Sequence, residues 1–187
     1  MRVYVIRHGE SENNRAQKYT GWADVHLTEK GRRDALLAAD FLKNISFDKV
    51  YSSDLARAKE TAECALPLYP YEESSLLREI DVGDVAGKPF SVLMKEEKER
   101  IPEQGYKPYG GESREEFHSR ICSFQRLLEE RKAENVAVFA HAGFLREMLD
   151  TVVGFRLPRN KICCDNCAVA VFEYDGDWHL HSWVNFS

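Results

Sequence analysis

Apolar strand-like runs alternate with helix-like segments along the first half of the chain. Residues 3–6 form a continuous β-favouring run, which is typical of a strand covered on both faces. A helix is predicted next, with Thr28 as its N-cap. Its apolar residues recur at helical spacing: Leu36, Leu37, Phe41, Leu42 and Ile45. A short strand at 48–51 follows, and residues 52–54 supply capping side chains for a helix that ends near Ala65, before Pro67.

The second half repeats the alternation after an irregular segment. Residues 87–111 place several Gly and Pro residues around one charged helical stretch at 95–100, which predicts a surface excursion and a candidate lid. Ser113 and Glu116 form a capping box that opens a long amphipathic helix. Residues 136–140 are the clearest buried strand, and a helix follows them. The pattern at 167–184 predicts a terminal hairpin.

This alternation predicts one α/β domain over residues 1–187. We expect a three-layer α/β/α sandwich with a mostly parallel central sheet, an antiparallel C-terminal edge hairpin and a small lid insertion at about 87–111. A length of 187 residues fits one domain, and 43% hydrophobic with 30% charged residues is ordinary for a globular protein. Ligands of such sheets bind beyond the carboxyl ends of the strands, so reactive side chains should follow strands.

The net charge of −5 argues against a general attraction to nucleic acid or to anionic membranes. An anionic substrate would have to be drawn by a few cations that converge on one pocket. No apolar run approaches the roughly 18 residues of a membrane span, and the run at 3–6 is too short for a signal peptide. We therefore expect a cytoplasmic protein, either monomer or homodimer, that binds neither nucleic acid nor membrane.

The five cysteines do not suggest a disulfide framework, because their number is odd and Cys163 adjoins Cys164. Cys164 and Cys167, followed by His179 and His181, have the composition of a zinc site. However, the two histidines are two residues apart, on one face of a strand, and Cys167 begins a buried apolar run. We predict a structural role for these residues, with no metal and no other cofactor.

Polar residues that suit phosphoryl chemistry follow three of the predicted strands. Arg7 and His8 follow the first strand, and Arg57 lies in the first turn of the helix after the second. His141 follows the strand at 136–140, and Glu79 precedes a glycine-containing turn. Because the carboxyl ends of parallel strands meet at one edge of a sheet, we expect these side chains to lie together.

This set can carry out phosphoryl transfer. Two arginines offer bidentate donors that offset a phosphate dianion, and the helix N-terminus at Ala142 aims main-chain N–H groups at the same place. A neutral imidazole is a competent nucleophile for phosphorus, and a carboxylic acid can protonate the departing oxygen. Taken singly, each residue is more simply a structural histidine, a surface ion pair or a solvated charge. Their joint position at strand ends favours a site.

An ordered series of motifs spanning residues 3–143 resembles the histidine phosphatase superfamily, the phosphoglycerate mutase-like enzymes. The motifs are Arg7-His8-Gly9-Glu10-Ser11 with Asn14, Thr20-Gly21-Trp22, Ser52-Ser53-Asp54 with Arg57, Arg78-Glu79, Gly110-Gly111-Glu112-Ser113 and His141-Ala142-Gly143. The resemblance implies that His8 attacks phosphorus, that Glu79 protonates the leaving oxygen, and that a phosphohistidine forms and is hydrolysed. It also implies phosphate contacts from the residues Arg7, Arg57, His141, Asn14, Thr20 and Gly21.

Three functions remain open at this point. We favour a phosphomonoesterase acting on a small phosphorylated metabolite, since only about two dozen residues separate Gly87 from Gly111 and mutases of the family are generally longer. The chain is similar in length and motifs to α-ribazole phosphatases, which makes α-ribazole 5′-phosphate one candidate substrate. The segment 20–25 is mutase-like, so a phosphoglycerate mutase is the alternative. A non-catalytic phosphate-sensing protein is the third.

The candidate lid carries three aromatic residues, Phe90, Tyr106 and Tyr109. They are expected either to anchor the segment to the body or to pack on an aromatic leaving group. One departure from the family lies nearby, because relatives often carry a tryptophan and an acidic residue where this chain has Val85 and Ala86. We therefore expect the surroundings of Glu79 to depart from the family pattern more than those of His8.

Overall fold

Six strands form a single sheet in the computed structural model, which describes residues 1–158 and 161–186. The strands are β1 (Arg2–Arg7), β2 (Lys49–Ser52), β3 (Glu72–Glu73), β4 (Asn135–Ala140), β5 (Val169–Tyr174) and β6 (Trp178–Val184). Their spatial order is β3-β2-β4-β1-β5-β6. The first four strands are parallel to one another, β5 runs antiparallel to β1, and β6 runs antiparallel to β5. This confirms the mostly parallel sheet with antiparallel C-terminal strands. The short strand β3 was not predicted.

Six α-helices accompany the sheet in the described part of the chain. They are α1 (Glu12–Arg15), α2 (Glu29–Leu42), α3 (Ala56–Ala65), α4 (Lys95–Gln104), α5 (Arg114–Glu129) and α6 (Ala142–Val153). Two predicted caps are confirmed: the hydroxyl of Thr28 accepts the N–H of Gly31, and Ser113 and Glu116 form a reciprocal capping box. None of the described helices is long and apolar enough to cross a membrane.

The predicted capping of α3 by residues 52–54 is wrong. Leu55 occupies the cap position and offers no side-chain acceptor. The first N–H of the helix, at Ala56, instead donates to the carboxylate of Asp24 at 2.7 Å. Asp54 is bound in a two-point ion pair with Arg78. An acceptor from a distant loop therefore completes the helix start, and this ties residues 20–25 to the end of β2.

Two hydrophobic cores cover the two faces of the sheet, as a three-layer arrangement requires. Along β1, Val3 and Val5 pack with α5 and α6, while Tyr4 and Ile6 pack with α2 and α3. The face that α2 buries was predicted incorrectly. Leu36 and Leu37 are exposed, because α2 packs closely through its small residues. The buried positions of α2 are Gly31, Ala35, Ala38 and Leu42.

The segment 87–111 folds back over the strand ends. Its main chain pairs with residues 17–19, through bonds from Phe90 to Gln17 and from Gly87 to Tyr19. Leu93 packs with Val82 in a small third cluster. The helix predicted at 95–100 is longer than expected, since α4 continues through Pro102 to Gln104. This segment thereby forms one wall above the carboxyl ends of the parallel strands.

Candidate active site

A cavity of about 310 Å³ opens where β1 ends and α6 begins. Every predicted site residue except His141 lines it. The lining residues are Arg7, His8, Asn14, Lys18, Tyr19, Thr20, Gly21, Arg57, Glu79, Ile80, Val82, Phe90, Tyr106, Ala142, Gly143 and Arg146. A larger cavity of about 550 Å³ lies between α5, α6 and the terminal hairpin, away from these residues. Side chains that follow separate strand ends in the sequence therefore lie around one cavity.

One ring nitrogen of His8 is hydrogen-bonded to the main chain. The residue follows β1 and is buried, and its Nδ1 lies 2.7 Å from the carbonyl oxygen of Gly9. A carbonyl only accepts, so Nδ1 carries the hydrogen and Nε2 keeps its lone pair. Burial lowers the pKa of His8 well below its usual value, and the charges of Arg57 and Arg7 lower it further. The ring is therefore neutral and suited to nucleophilic attack.

Arg57 and Arg7 are fixed by main-chain carbonyls. Arg57 is 1% exposed and donates to the carbonyls of Gly21 at 2.8 Å and Ala23 at 2.9 Å. Arg7 donates to the carbonyl of Cys164. Burial lowers the pKa of Arg57 to about 10, so its guanidinium stays charged at neutral pH. The Nε atoms of both arginines are buried without a partner among the described residues, which leaves donors that a phosphate oxygen would satisfy.

His141 lies behind the cavity wall, beside His8. It is the N-cap residue of α6 and fully buried, and the two imidazole centroids are 5.1 Å apart. Its Nε2 is 2.9 Å from the hydroxyl oxygen of Ser53, while Nδ1 has no partner in the described part of the molecule. Burial, followed by the charge of Arg57, lowers the pKa of His141 well below its usual value. Ser53, predicted as a capping residue and as part of a family motif, thus contacts a predicted site residue through its side chain.

Glu79 lines the same cavity as His8 and is bound to the N-terminus of α6. Its carboxylate accepts the main-chain N–H of Gly143 at 3.0 Å and that of Ile80 at 2.9 Å. The main-chain carbonyl of Glu79 accepts from the indole of Trp22 at 2.7 Å and from Arg120 at 3.1 Å. Both ends of the residue are therefore fixed, and the N-terminus of α6 holds its carboxyl group in the cavity wall.

Sequence reasoning missed two cations in the cavity wall, Lys18 and Arg146. Arg146 lies one helical turn after Ala142 and donates to the carbonyl of Ile162 at 3.2 Å. Burial lowers the pKa of Arg7, and the nearby charge of Arg146 lowers it further. Arg146 could have been predicted, because residues four apart on a helix share a face and Ala142 was a predicted site residue. No comparable spacing in the sequence indicates Lys18. Four cations and one carboxylate thus line a cavity in a chain whose net charge is negative.

Two of the three aromatic residues singled out in segment 87–111 line the cavity. Phe90 and Tyr106 pack around Tyr19, with ring centroids 5.0 and 6.1 Å from it. Tyr109 instead donates its hydroxyl to Glu97 within the segment at 2.9 Å, and its ring packs against the third cluster. Val85, at the departure from the family pattern, is buried in the third cluster below the wall. The cavity wall therefore combines aromatic rings with cationic side chains.

The cysteine motif contacts the nucleophile through its main chain. Cys164 and Cys167 are buried, and burial raises their thiol pKa values to about 11 and about 12. The N–H of Cys167 donates to the carbonyl of His8 at 3.3 Å. His179 and His181 lie exposed on β6 beside acidic side chains. Across residues 1–158 and 161–186, no three His, Cys, Asp or Glu side chains are grouped to hold a metal ion.

Comparison with known proteins places these features in one family. A family model described as "Histidine phosphatase superfamily (branch 1)" matches residues 3–185. "Phosphoglycerate mutase-like protein 4" of Arabidopsis thaliana is 32% identical over 99% of this chain and 85% of its own. A phosphoglycerate mutase structure from Thermus thermophilus is 29% identical, with a TM-score of 0.80 and full coverage of both chains. An Escherichia coli structure, named for a proposed alpha-ribazole-5'-P phosphatase, is 28% identical, with a TM-score of 0.85 and coverage of 99% and 96%.

Proposed function

Because the chain belongs to branch 1 of the histidine phosphatase superfamily, we propose that it is a phosphomonoesterase that works through a phosphohistidine at His8. The observation that carries the proposal is that His8 and Glu79 line one cavity, with the imidazole of His8 neutral and hydrogen-bonded through Nδ1. A nucleophile and a proton donor in one cavity suit in-line displacement at phosphorus.

The first half-reaction transfers the phosphoryl group to His8. Nε2 forms a bond to phosphorus as the bond to the ester oxygen breaks, and the acid form of Glu79 gives its proton to that oxygen. Arg7 and Arg57 stabilise the charge on the transferring oxygens, because their guanidinium groups are already fixed and need no reorganisation. The alcohol then leaves, and the phosphohistidine and the carboxylate of Glu79 remain.

The second half-reaction returns His8 to its starting state. Water attacks the phosphohistidine from the side that the alcohol vacated, and the carboxylate of Glu79 accepts its proton. The bond from Nε2 to phosphorus breaks, inorganic phosphate leaves, and Glu79 is again in its acid form. In this scheme all the cationic charge comes from the protein.

Hydrolysis of a chromogenic aryl phosphate tests the proposal. We expect turnover that survives chelation of metals, and an acid-labile, base-stable phosphoenzyme after a rapid quench with labelled substrate. His8→Ala should abolish both signals, with Cys122→Ala as an unrelated control on α5. Full activity in His8→Ala would refute the mechanism, and no turnover of any phosphomonoester by the wild type would favour a phosphate-sensing role.

A small phosphorylated metabolite is the proposed substrate, and α-ribazole 5′-phosphate is the first candidate. The name of the Escherichia coli relative supports it, as does the aromatic wall of Tyr19, Phe90 and Tyr106, which suits a planar leaving group. The names of the Arabidopsis and Thermus relatives favour phosphoglycerate mutase as the second candidate. Phosphoglycerate incubated with its bisphosphate separates the two, since a mutase isomerises it and a phosphatase releases phosphate.

A further inference from the structure

Asn166 bonds to two parts of the candidate site at once. Its side-chain Nδ2 donates to the carbonyl of His8 at 3.1 Å and to Oδ1 of Asn14 at 3.3 Å. The adjacent N–H of Cys167 donates to the same His8 carbonyl. One side chain near the C-terminus therefore joins the end of β1, where the nucleophile lies, to α1, where a predicted phosphate contact lies.

The contact with Asn14 decides which end of its amide faces the cavity. Oδ1 of Asn14 also accepts the main-chain N–H of Ser11 at 3.1 Å, so this oxygen has two donors inside the protein. The NH₂ end is left for the cavity that Asn14 lines. The two ends of an amide have nearly the same shape, and only their hydrogen-bond partners distinguish them. A flipped Asn14 would present an oxygen to a bound phosphate and repel it.

The main chain next to Asn166 is held in an uncommon conformation. Cys167 is buried and has a φ of 63°, in the left-handed region that residues with a side chain rarely adopt. Such conformations persist where surrounding contacts determine them. The conformation of Cys167 brings its own N–H and the side chain of Asn166 to one acceptor, the carbonyl of His8.

We propose that Asn166 is a positioning residue: it orients Asn14 with its N–H donors toward the bound phosphoryl group and holds the main chain of His8. The inference rests on the proposed function and adds to it a residue that does not itself line the cavity. It also gives the segment between Cys164 and Cys167 a function that involves neither thiol.

Asn166→Asp is the most specific variant, because an ionised carboxylate has the shape of the amide but no hydrogen to donate. It would face the carbonyl oxygen of His8 and Oδ1 of Asn14. Asn185→Asp is the matched control. Asn185 bonds to the same segment, accepting from the N–H of Asp165 at 3.0 Å and donating to the carbonyl of Cys163 at 3.4 Å. Thermal unfolding of both variants shows whether each is folded under the assay conditions.

We expect Asn166→Asp to lower kcat/KM for an aryl phosphate, and affinity for inorganic phosphate measured by calorimetry, at least tenfold. Asn185→Asp should change either value less than twofold. Two acceptor oxygens raise the pKa of the new carboxyl group above that of a free aspartate. The loss in Asn166→Asp should therefore shrink as the pH is lowered, because the protonated group can donate again. In an Asn14→Ala background, the same substitution should cost much less, because the amide that it orients is gone.

If kcat/KM and the affinity for inorganic phosphate are the same in Asn166→Asp and Asn185→Asp, the proposal is overturned. An undiminished cost of Asn166→Asp in the Asn14→Ala background would overturn the orientation of Asn14. These outcomes differ from a failure of the proposed function, which is absence of turnover in the wild type. In that case the phosphate affinities of the wild type and the four variants still decide the role of Asn166.

Discussion

The carboxylate of Glu79 and the main chain of Gly143 lie so close together that no side chain fits between them. The N–H of Gly143 donates to Oε2 at 3.0 Å, and a Cβ atom on Gly143 would stand 2.0 Å from Oε1. The N-terminus of α6 and the proposed acid are thus one packed unit. Any side chain at position 143 must displace the carboxyl group.

Gly143→Ala should therefore lower kcat while the protein stays folded. Alanine suits a helical position, but its methyl group moves the carboxyl group of Glu79, and a displacement of about 1 Å at a reacting group costs on the order of a hundredfold. Steady-state kinetics of Gly143→Ala, Glu79→Gln and the double variant check this. The double variant should be no slower than Glu79→Gln, and additive losses would mean that Gly143 acts elsewhere.

Glu79→Gln should slow poor leaving groups much more than good ones. A nitrophenolate leaves without a proton, whereas an aliphatic alkoxide needs one from the acid. We expect the ratio of wild-type to variant kcat/KM to be larger for an alkyl phosphate than for nitrophenyl phosphate, by about tenfold or more. A ratio that does not depend on the leaving group would assign Glu79 to binding alone.

The free energy of unfolding should decrease as the pH falls below 6.5. Burial and the nearby arginine charges lower the pKa of His8 below 6.5, and the pKa of His141 is lowered in the same direction. The unfolded chain therefore takes up protons first, and stability falls by up to about 1.4 kcal/mol per pH unit for each histidine. Urea unfolding at pH 7, 6 and 5 measures this slope.

His8→Gln should flatten the slope of that pH series. His26→Gln is the control, since the hydrogen bond and charge of Glu60 raise the pKa of His26 and give its titration the opposite sign. His26→Gln should therefore not flatten the fall in stability. A slope that is the same in the wild type and in His8→Gln would show that the buried ring does not contribute.

Arg146→Met should raise KM for phosphomonoesters with little change in kcat. Its charge attracts the anion equally in the ground state and the transition state, and removing such an interaction changes KM alone. We expect a rise of roughly tenfold, equivalent to about 1.4 kcal/mol, that diminishes at high salt. Arg126→Met, in the wall of the other cavity, is the control. A fall in kcat with KM unchanged would instead place Arg146 in the chemical step.

Local pattern predicted the strands and the side chains that follow them. The runs at 3–6 and 136–140 are continuous and apolar because both faces are covered, and His8 and His141 could be placed from their ends. The buried face of α2 was missed because alanines rather than leucines make its contacts. Asn166 was missed because a side-chain bond to a carbonyl 158 residues away leaves no periodic signal in the sequence.

The place of β1 in the sheet also bears on how the protein is made. This strand pairs with β4 and β5, so both of its neighbours come from residues beyond 134. During synthesis this strand stays without both partners until residues 135–174 have also been made, and such long-range pairing is slow to form. A chain cut before residue 135 therefore holds His8 beside an unpaired strand, and the cavity that His8 lines is completed only late in folding.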